Sequence, residues 1–336
     1  MVASLTVKPL LKRGALLAAA NWPVIVLQFV AESAFKLLLV LPVIGAASLV
    51  ALVVGGDAIE LASHDVRLIM PLVLTALADH PGALVCYLVG TIAISIGGAT
   101  LTFLAKGGTV TVLLRAERHA PSIERPPLRL AAFRRTDAFD VERFSDGSRR
   151  LFRPYLTLGL GLMVIYGVAG AAFLVAVYAS YRLLAETGLL VSWTLLAATL
   201  SVVFVLAITL INLFYLLIQV TVAAEHCGVR AAARHLGDFL GREYRHVAVV
   251  FGIMLVAVGL ATAASILATA SLGFIGFIPF VGFAVLPLQL IAWLARGLVF
   301  QYLGLTALCA YIRLYRGARP GSAATGAGLP APLEAS

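Results

Sequence analysis

Residues 187–224 read TGLLVSWTLLAATLSVVFVLAITLINLFYLLIQVTVAA, a run with no charged side chain and with Gly188 as its one helix breaker. As a helix this run is about 57 Å long, against about 30 Å of bilayer hydrocarbon. A segment so long and so apolar crosses a membrane and projects beyond it. Five more apolar blocks flank it, over 22–54, 82–114, 155–181, 247–271 and 281–311. Paired in chain order, the six blocks make three hairpins. The whole chain agrees: 61% of its 336 residues are hydrophobic and 12% charged, about half the charge of a soluble globular protein. A soluble enzyme is excluded. The fold class is all-α and polytopic: six transmembrane helices as three hairpins, with amphipathic interfacial helices.

A formal charge of +9 would suit nucleic-acid binding if the basic residues formed one patch. They do not. Lys8, Lys12 and Arg13 precede Trp22, and a large group lies between Lys106 and Arg153. Further groups run from Arg230 to Arg245 and follow Tyr311, while Arg67 and Arg182 alone fall in the alternate connections. That asymmetry is the positive-inside rule, which implies a bacterial cytoplasmic (inner) membrane protein with both termini in the cytoplasm and no nucleic-acid partner. Cys86, Cys227 and Cys309 are odd in number and scattered, so neither a disulfide framework nor a metal spacing is read.

The division follows from this. Residues 1–21 are a cytoplasmic N-terminal segment, with too short an apolar stretch for a cleaved signal. The bundle occupies 22–316, with a cytoplasmic loop over about 115–153 that could dock other membrane or cytoplasmic subunits. Pro121, Pro126 and Pro127 keep that loop from being one helix. Residues 317–336, rich in Gly, Ala and Pro, read as a disordered tail. Within 22–54, Pro42 and Gly45 leave two options: one span, or an interfacial helix leading into a shorter span from about Leu37.

The ends of the first two hairpins repeat weakly. VLLRAER over 112–118 and VTVAAEH over 220–226 each place Ala-Glu ahead of a basic residue; the third exit, ALCAYIRLYRG, keeps the basic residue without the acid. The following segment, about 228–245, alternates at helical period. Val229, Ala232, Ala233, Leu236, Phe239 and Leu240 form an apolar face, and Arg230, Arg234, Asp238 and Arg242 a polar stripe. A basic face beside a membrane exit suits an interfacial helix over anionic lipid; the same pattern also suits a connector packed on the bundle.

The run IQVTVAAEHCGVRAAARHLGDFLGREYRHVAVVF resembles a pattern in a bacterial six-helix membrane family, found alone or as the membrane domain attached to some glycerophosphodiester phosphodiesterases. Glu225, Gly228, Val229, Ala231, Ala232, Arg234, Phe239, Leu240 and Arg245 carry the likeness. His235-Leu236 stands where that family often has a small polar residue. The resemblance implies the three-hairpin layout and brings no activity with it.

Three constellations carry possible chemistry. Asn21, Gln28, Glu32 and Lys36 form one stripe of the first span, with Glu32 and Lys36 spaced to pair. Arg296 lies within the sixth block, and an intramembrane charge normally faces a partner or water. Glu32 bridging Lys36 and Arg296 would make a lipid or ion pathway; the alternative is an interfacial stripe and a structural arginine. The stretch GFIGFIPFVGF over 273–283 places Phe274, Phe277, Phe280 and Phe283 every third residue among glycines and a proline, an irregular outer apolar lid or a membrane-buried turn. Asp57, Glu60 and His64 share a helical face, as an acidic loop often does by chance, and no metal site is assigned.

Glycines such as Gly90, Gly97, Gly98, Gly161, Gly167 and Gly170 are expected at close helix crossings. No metalloprotease, phosphate-loop or nucleophile-elbow motif is read, so the expectation is a non-enzyme without cofactor. Its partner is membrane lipid, which it organises, senses or helps to move, or it is a scaffold subunit of a complex. The alternative is a transporter or channel built on Glu32, Lys36 and Arg296.

Overall fold

A computed structural model describes residues 7–54, 81–121, 123–124, 136–185, 190–276 and 281–318. The described residues form helices without a strand: α1 (Val7–Ala20), α2 (Trp22–Val54), α3 (Pro81–His119), α4 (Val141–Ala185), α5 (Leu190–Glu225), α6 (Val229–Gly276) and α7 (Val281–Gly317). All but α1 are long and apolar enough to cross a membrane. The protein is an all-α, multi-pass membrane protein.

The chain divides into two compact units, Leu27–Lys106 and Met1–Val26 with Gly107–Ser336. In the first, α2 runs helically through Pro42, so 22–54 is one continuous helix. The Tyr87 hydroxyl donates to the Pro42 carbonyl at 3.1 Å. The Phe35 ring lies against Gly98, where a side chain would collide with it. Those two contacts join α2 to α3.

In the second unit α7 is the central element. Leu305, Leu308, Ala310, Ile312 and Leu314, in its last third, are buried. Against it lies α1, which the sequence reading treated as a bare terminal segment. Leu10, Leu17 and Ala18 are buried at helical spacing, and Gly14 permits the close approach: a Cβ there would stand 2.8 Å from the Thr306 carbonyl oxygen. The other helices are buried at the same end, through Leu113, Tyr155, Leu217, Val220 and Val250. Away from it they face outward; Val164, Val168, Val191, Val202 and Leu260 are each at least 60% exposed. Apolar exposure of that kind suits lipid, where burial against protein brings no hydrophobic gain.

Two expected boundaries move. The loop placed at 115–153 is helical to His119 and again from Val141. Here α4 runs through Pro154 without a break, as membrane helices tolerate proline where neighbouring groups satisfy the freed carbonyl. The expected segment over 228–245 and the following span join as α6, interrupted at Glu243 (φ −120°, ψ 15°). The tail beyond 318, the acidic loop with Asp57, Glu60 and His64, and most of the link between α3 and α4 lie outside the described residues.

Candidate functional site

At the basic end of the larger unit, the helix termini meet in a buried polar cluster. Arg13 is 5% exposed. Its Nε donates to both Glu117 carboxylate oxygens at 3.0 and 3.1 Å. One terminal nitrogen donates to Glu124 at 2.8 Å and to the Pro121 carbonyl at 2.9 Å, the other to the Ala120 carbonyl at 3.1 Å. Arg313 donates to the same Glu117 at 3.1 Å, and the Tyr315 hydroxyl to Glu225 at 2.7 Å. Glu117 and Glu225 are the acids of the two repeated exits, and Arg313 and Tyr315 belong to the third. The exit that lost its acid thus supplies the donors that the other two acids need.

Burial alone would lower the Arg13 pKa, but the charges and hydrogen bonds of Glu117 and Glu124 hold it above the ordinary value. Burial likewise pushes Glu124 up, while its own backbone hydrogen bond and the Arg13 guanidinium bring it below the usual carboxylate range. His226 sits just past α5 at φ 52°, the one positive-φ non-glycine among the described residues. Its pKa is lowered by partial burial and by the nearby charges of Arg150 and Arg118.

The basic stripe is also at this end. Arg230, Arg234 and Arg242 are exposed, while Ala232, Leu236 and Phe239 are buried; the Phe239 ring packs edge-on to Tyr315 with centroids 5.2 Å apart. The apolar face of this segment is therefore used on protein and the cations point outward. Ala233, expected on the apolar face, is exposed, because it lies about 100° round the helix from Ala232, at the edge of the face that Ala232, Leu236 and Phe239 bury.

In the smaller unit, Lys36 pairs with Glu32 at 2.8 Å, as their spacing predicts. The Glu32 carboxylate also lies within electrostatic reach of Lys106 of α3. By charge alone Lys106 groups with the basic loop that follows it. Its signal was available, since it lies inside the apolar block 82–114. Asn21 leaves the expected stripe altogether. It is fully buried at the α1–α2 junction, where its amide donates to the Leu17 carbonyl at 3.0 Å and its carbonyl accepts from Ala138 N–H at 3.0 Å. A helix break at that residue places it outside the stripe of the helix that follows.

Arg296 belongs to the larger unit. It lies in a groove of about 570 Å³ between α6 and α7, exposed, with its guanidinium carbon 5.8 Å from the Phe300 ring centroid. Among the described residues of its unit, no carboxylate forms an ion pair with it. Of the expected lid, Phe274 is in the last turn of α6 and 76% exposed, and Phe283 is in the first turn of α7. These turns are helical, so the irregularity expected over 273–283 is absent from both ends of that stretch; Phe277 and Phe280 lie outside the described residues.

The glycines also sort differently from expectation. Gly90, Gly97, Gly161, Gly167 and Gly170 have open space where a side chain would stand. The close crossings use Gly14, Gly98, Gly107, Gly108 and Gly147.

Comparison with known protein families, characterised proteins and solved structures finds no match to this chain.

Proposed function

We propose that the protein is a non-enzymatic, lipid-facing component of a bacterial cytoplasmic membrane, oriented with its basic helix ends on the anionic leaflet, where it organises envelope lipid or helps to move it. The observation that carries this reading is the division of labour in α6. Its apolar face is already packed on α7, so Arg230, Arg234 and Arg242 have no role in folding the segment and stand free for headgroups. Cations near an anionic leaflet contribute about 1 kcal/mol each. The likeness to the six-helix family supports the layout and is silent on activity. In nanodiscs containing a spin-labelled phosphatidylglycerol, the wild-type protein should hold more immobilised label than it does with labelled phosphatidylcholine. Arg230→Gln/Arg234→Gln/Arg242→Gln should lose most of that preference; equal immobilisation by the wild type would sink the reading.

A second reading, transport, is favoured by the ionisable side chains of Glu32, Lys36 and Lys106 on two spans, since intramembrane ionisable groups mark ion and proton paths. It requires that Glu32→Gln abolish flux in reconstituted vesicles while leaving the thermal unfolding profile in place.

A further inference from the structure

We infer that the groove between α6 and α7 is a lipid site, holding an acyl chain along Ala261–Leu272 with the phosphate of an anionic phospholipid on Arg296. The inference rests on the lipid-facing reading and deepens it, using a different part of the molecule.

The two walls are faces at helical spacing. On α6, Ala261, Ala264, Ser265, Ala268 and Leu272 line the groove; on α7, Gln289, Trp293, Arg296 and Phe300 do so. The small α6 residues create the space, and the Thr269 hydroxyl beside them is engaged by the Ser265 carbonyl at 2.8 Å. The helix from Ala261 to Leu272, twelve residues, covers about 17 Å, close to half the hydrocarbon thickness, which is the reach of one leaflet. The volume of about 570 Å³ falls within the range of small-molecule sites.

Charge selects the occupant. An arginine within the bilayer costs about 2.5–3.5 kcal/mol on insertion scales and normally faces a partner. Within its unit Arg296 has the Phe300 face and no acid among the described residues. The ring holds the guanidinium on the groove side, and a phosphate can take its N–H groups in the paired geometry that arginine favours. Gln289 adds an amide two turns away along the same wall. Arg296 is about 22 Å along α7 from the buried Tyr311, and against the antiparallel α6 it stands at the Ala261 end of the groove. A chain along Ala261–Leu272 therefore runs from the phosphate away from the basic helix ends, the polarity of a lipid from the leaflet at those ends.

Native mass spectrometry of the full chain, released from nanodiscs of equal phosphatidylglycerol and phosphatidylcholine, tests this. The wild type should retain one phosphatidylglycerol. Arg296→Gln should reduce retention about tenfold, equivalent to about 1.4 kcal/mol, and Arg296→Lys should keep most of it. Ala268→Phe, which fills the groove and leaves the charge, should also abolish retention. Unchanged retention in Arg296→Gln or Ala268→Phe, equal retention of phosphatidylcholine, or a phosphate adduct without lipid when inorganic phosphate is supplied would each overturn the inference. If Arg296→Gln has no effect while the Arg230, Arg234 and Arg242 variant still loses its preference for anionic lipid, the groove fails and the leaflet reading stands.

Discussion

The Arg13 guanidinium donates from all three of its nitrogens, to Glu117, Glu124 and two loop carbonyls. Removing one member of such a buried group leaves another charge short of a partner. Glu117→Ala takes from Arg13 the carboxylate on its Nε, leaving it the Glu124 carboxylate alone, and takes the partner of the part-exposed Arg313. It should cost about 3 kcal/mol, the low end for breaking a buried pair, read as a fall in the detergent unfolding midpoint. Arg13→Met/Glu117→Met should recover part of that loss, because it deletes two of the charges together; no recovery would mean that the geometry, not the unpaired charge, sets the cost. His226 gives a prediction in pH. Its folded-state pKa is lowered by partial burial and by Arg150 and Arg118, so the unfolded chain binds the proton more readily. Its stability contribution is therefore complete above the ordinary value of about 6.5 and lost as pH falls from there through the lowered folded-state value. Glu124, lowered in the folded state, acts further down: its contribution persists until pH drops below the ordinary carboxylate value of about 4.3. His226→Asn keeps a residue tolerant of positive φ and should flatten the decline between pH 7 and 5 while leaving the one below it; an unaltered decline would assign it to another group.

Among the elements, α1 shows what hydropathy cannot supply. Its apolar stretch is too short to register as a span, and its importance lies in Gly14, where a Cβ would meet backbone atoms of α7 at 2.8 and 3.2 Å. Backbone cannot step aside as a side chain can. Gly14→Leu should therefore unseat α1 and expose the Lys8–Arg13 stretch to trypsin, whereas Gly161→Leu, with open space around it, should leave the digestion pattern unchanged. Equal resistance of Gly14→Leu would refute the close docking. The same contrast explains why the glycines were misassigned. Gly90 and Gly98 share a helix and nearly the same composition around them, yet Phe35 packs on one of the two. Which face of a fully apolar helix meets protein leaves no trace in polarity, since lipid and protein core are equally apolar. The segment opening α6 was legible for the opposite reason: its alternation of arginine with apolar residues distinguishes two faces.

For the whole molecule, composition and run length sufficed for six spans because the bilayer enforces both apolarity and length. The polar knot was half legible, in the repeated Ala-Glu exits, but their meeting with Arg13 and the third exit is a long-range event that local pattern does not encode. Lys106 was misplaced because counting basic residues by loop hides one that lies within a span. The charge asymmetry survives that correction, since the remaining basic groups still gather at one set of helix ends, and it makes the orientation testable on the larger unit. In a Cys86→Ser/Cys309→Ala background, Cys227, half-buried beside the basic stripe, should react with a membrane-impermeant maleimide in inverted vesicles and resist it in intact cells. Leu183→Cys with Cys227→Ser, in the last turn of α4 where the native side chain is 74% exposed, should show the reverse. Labelling of both from one side would break the hairpin scheme, because α4 runs unbroken from Val141 to Ala185 and about 66 Å of helix cannot return to the face it left.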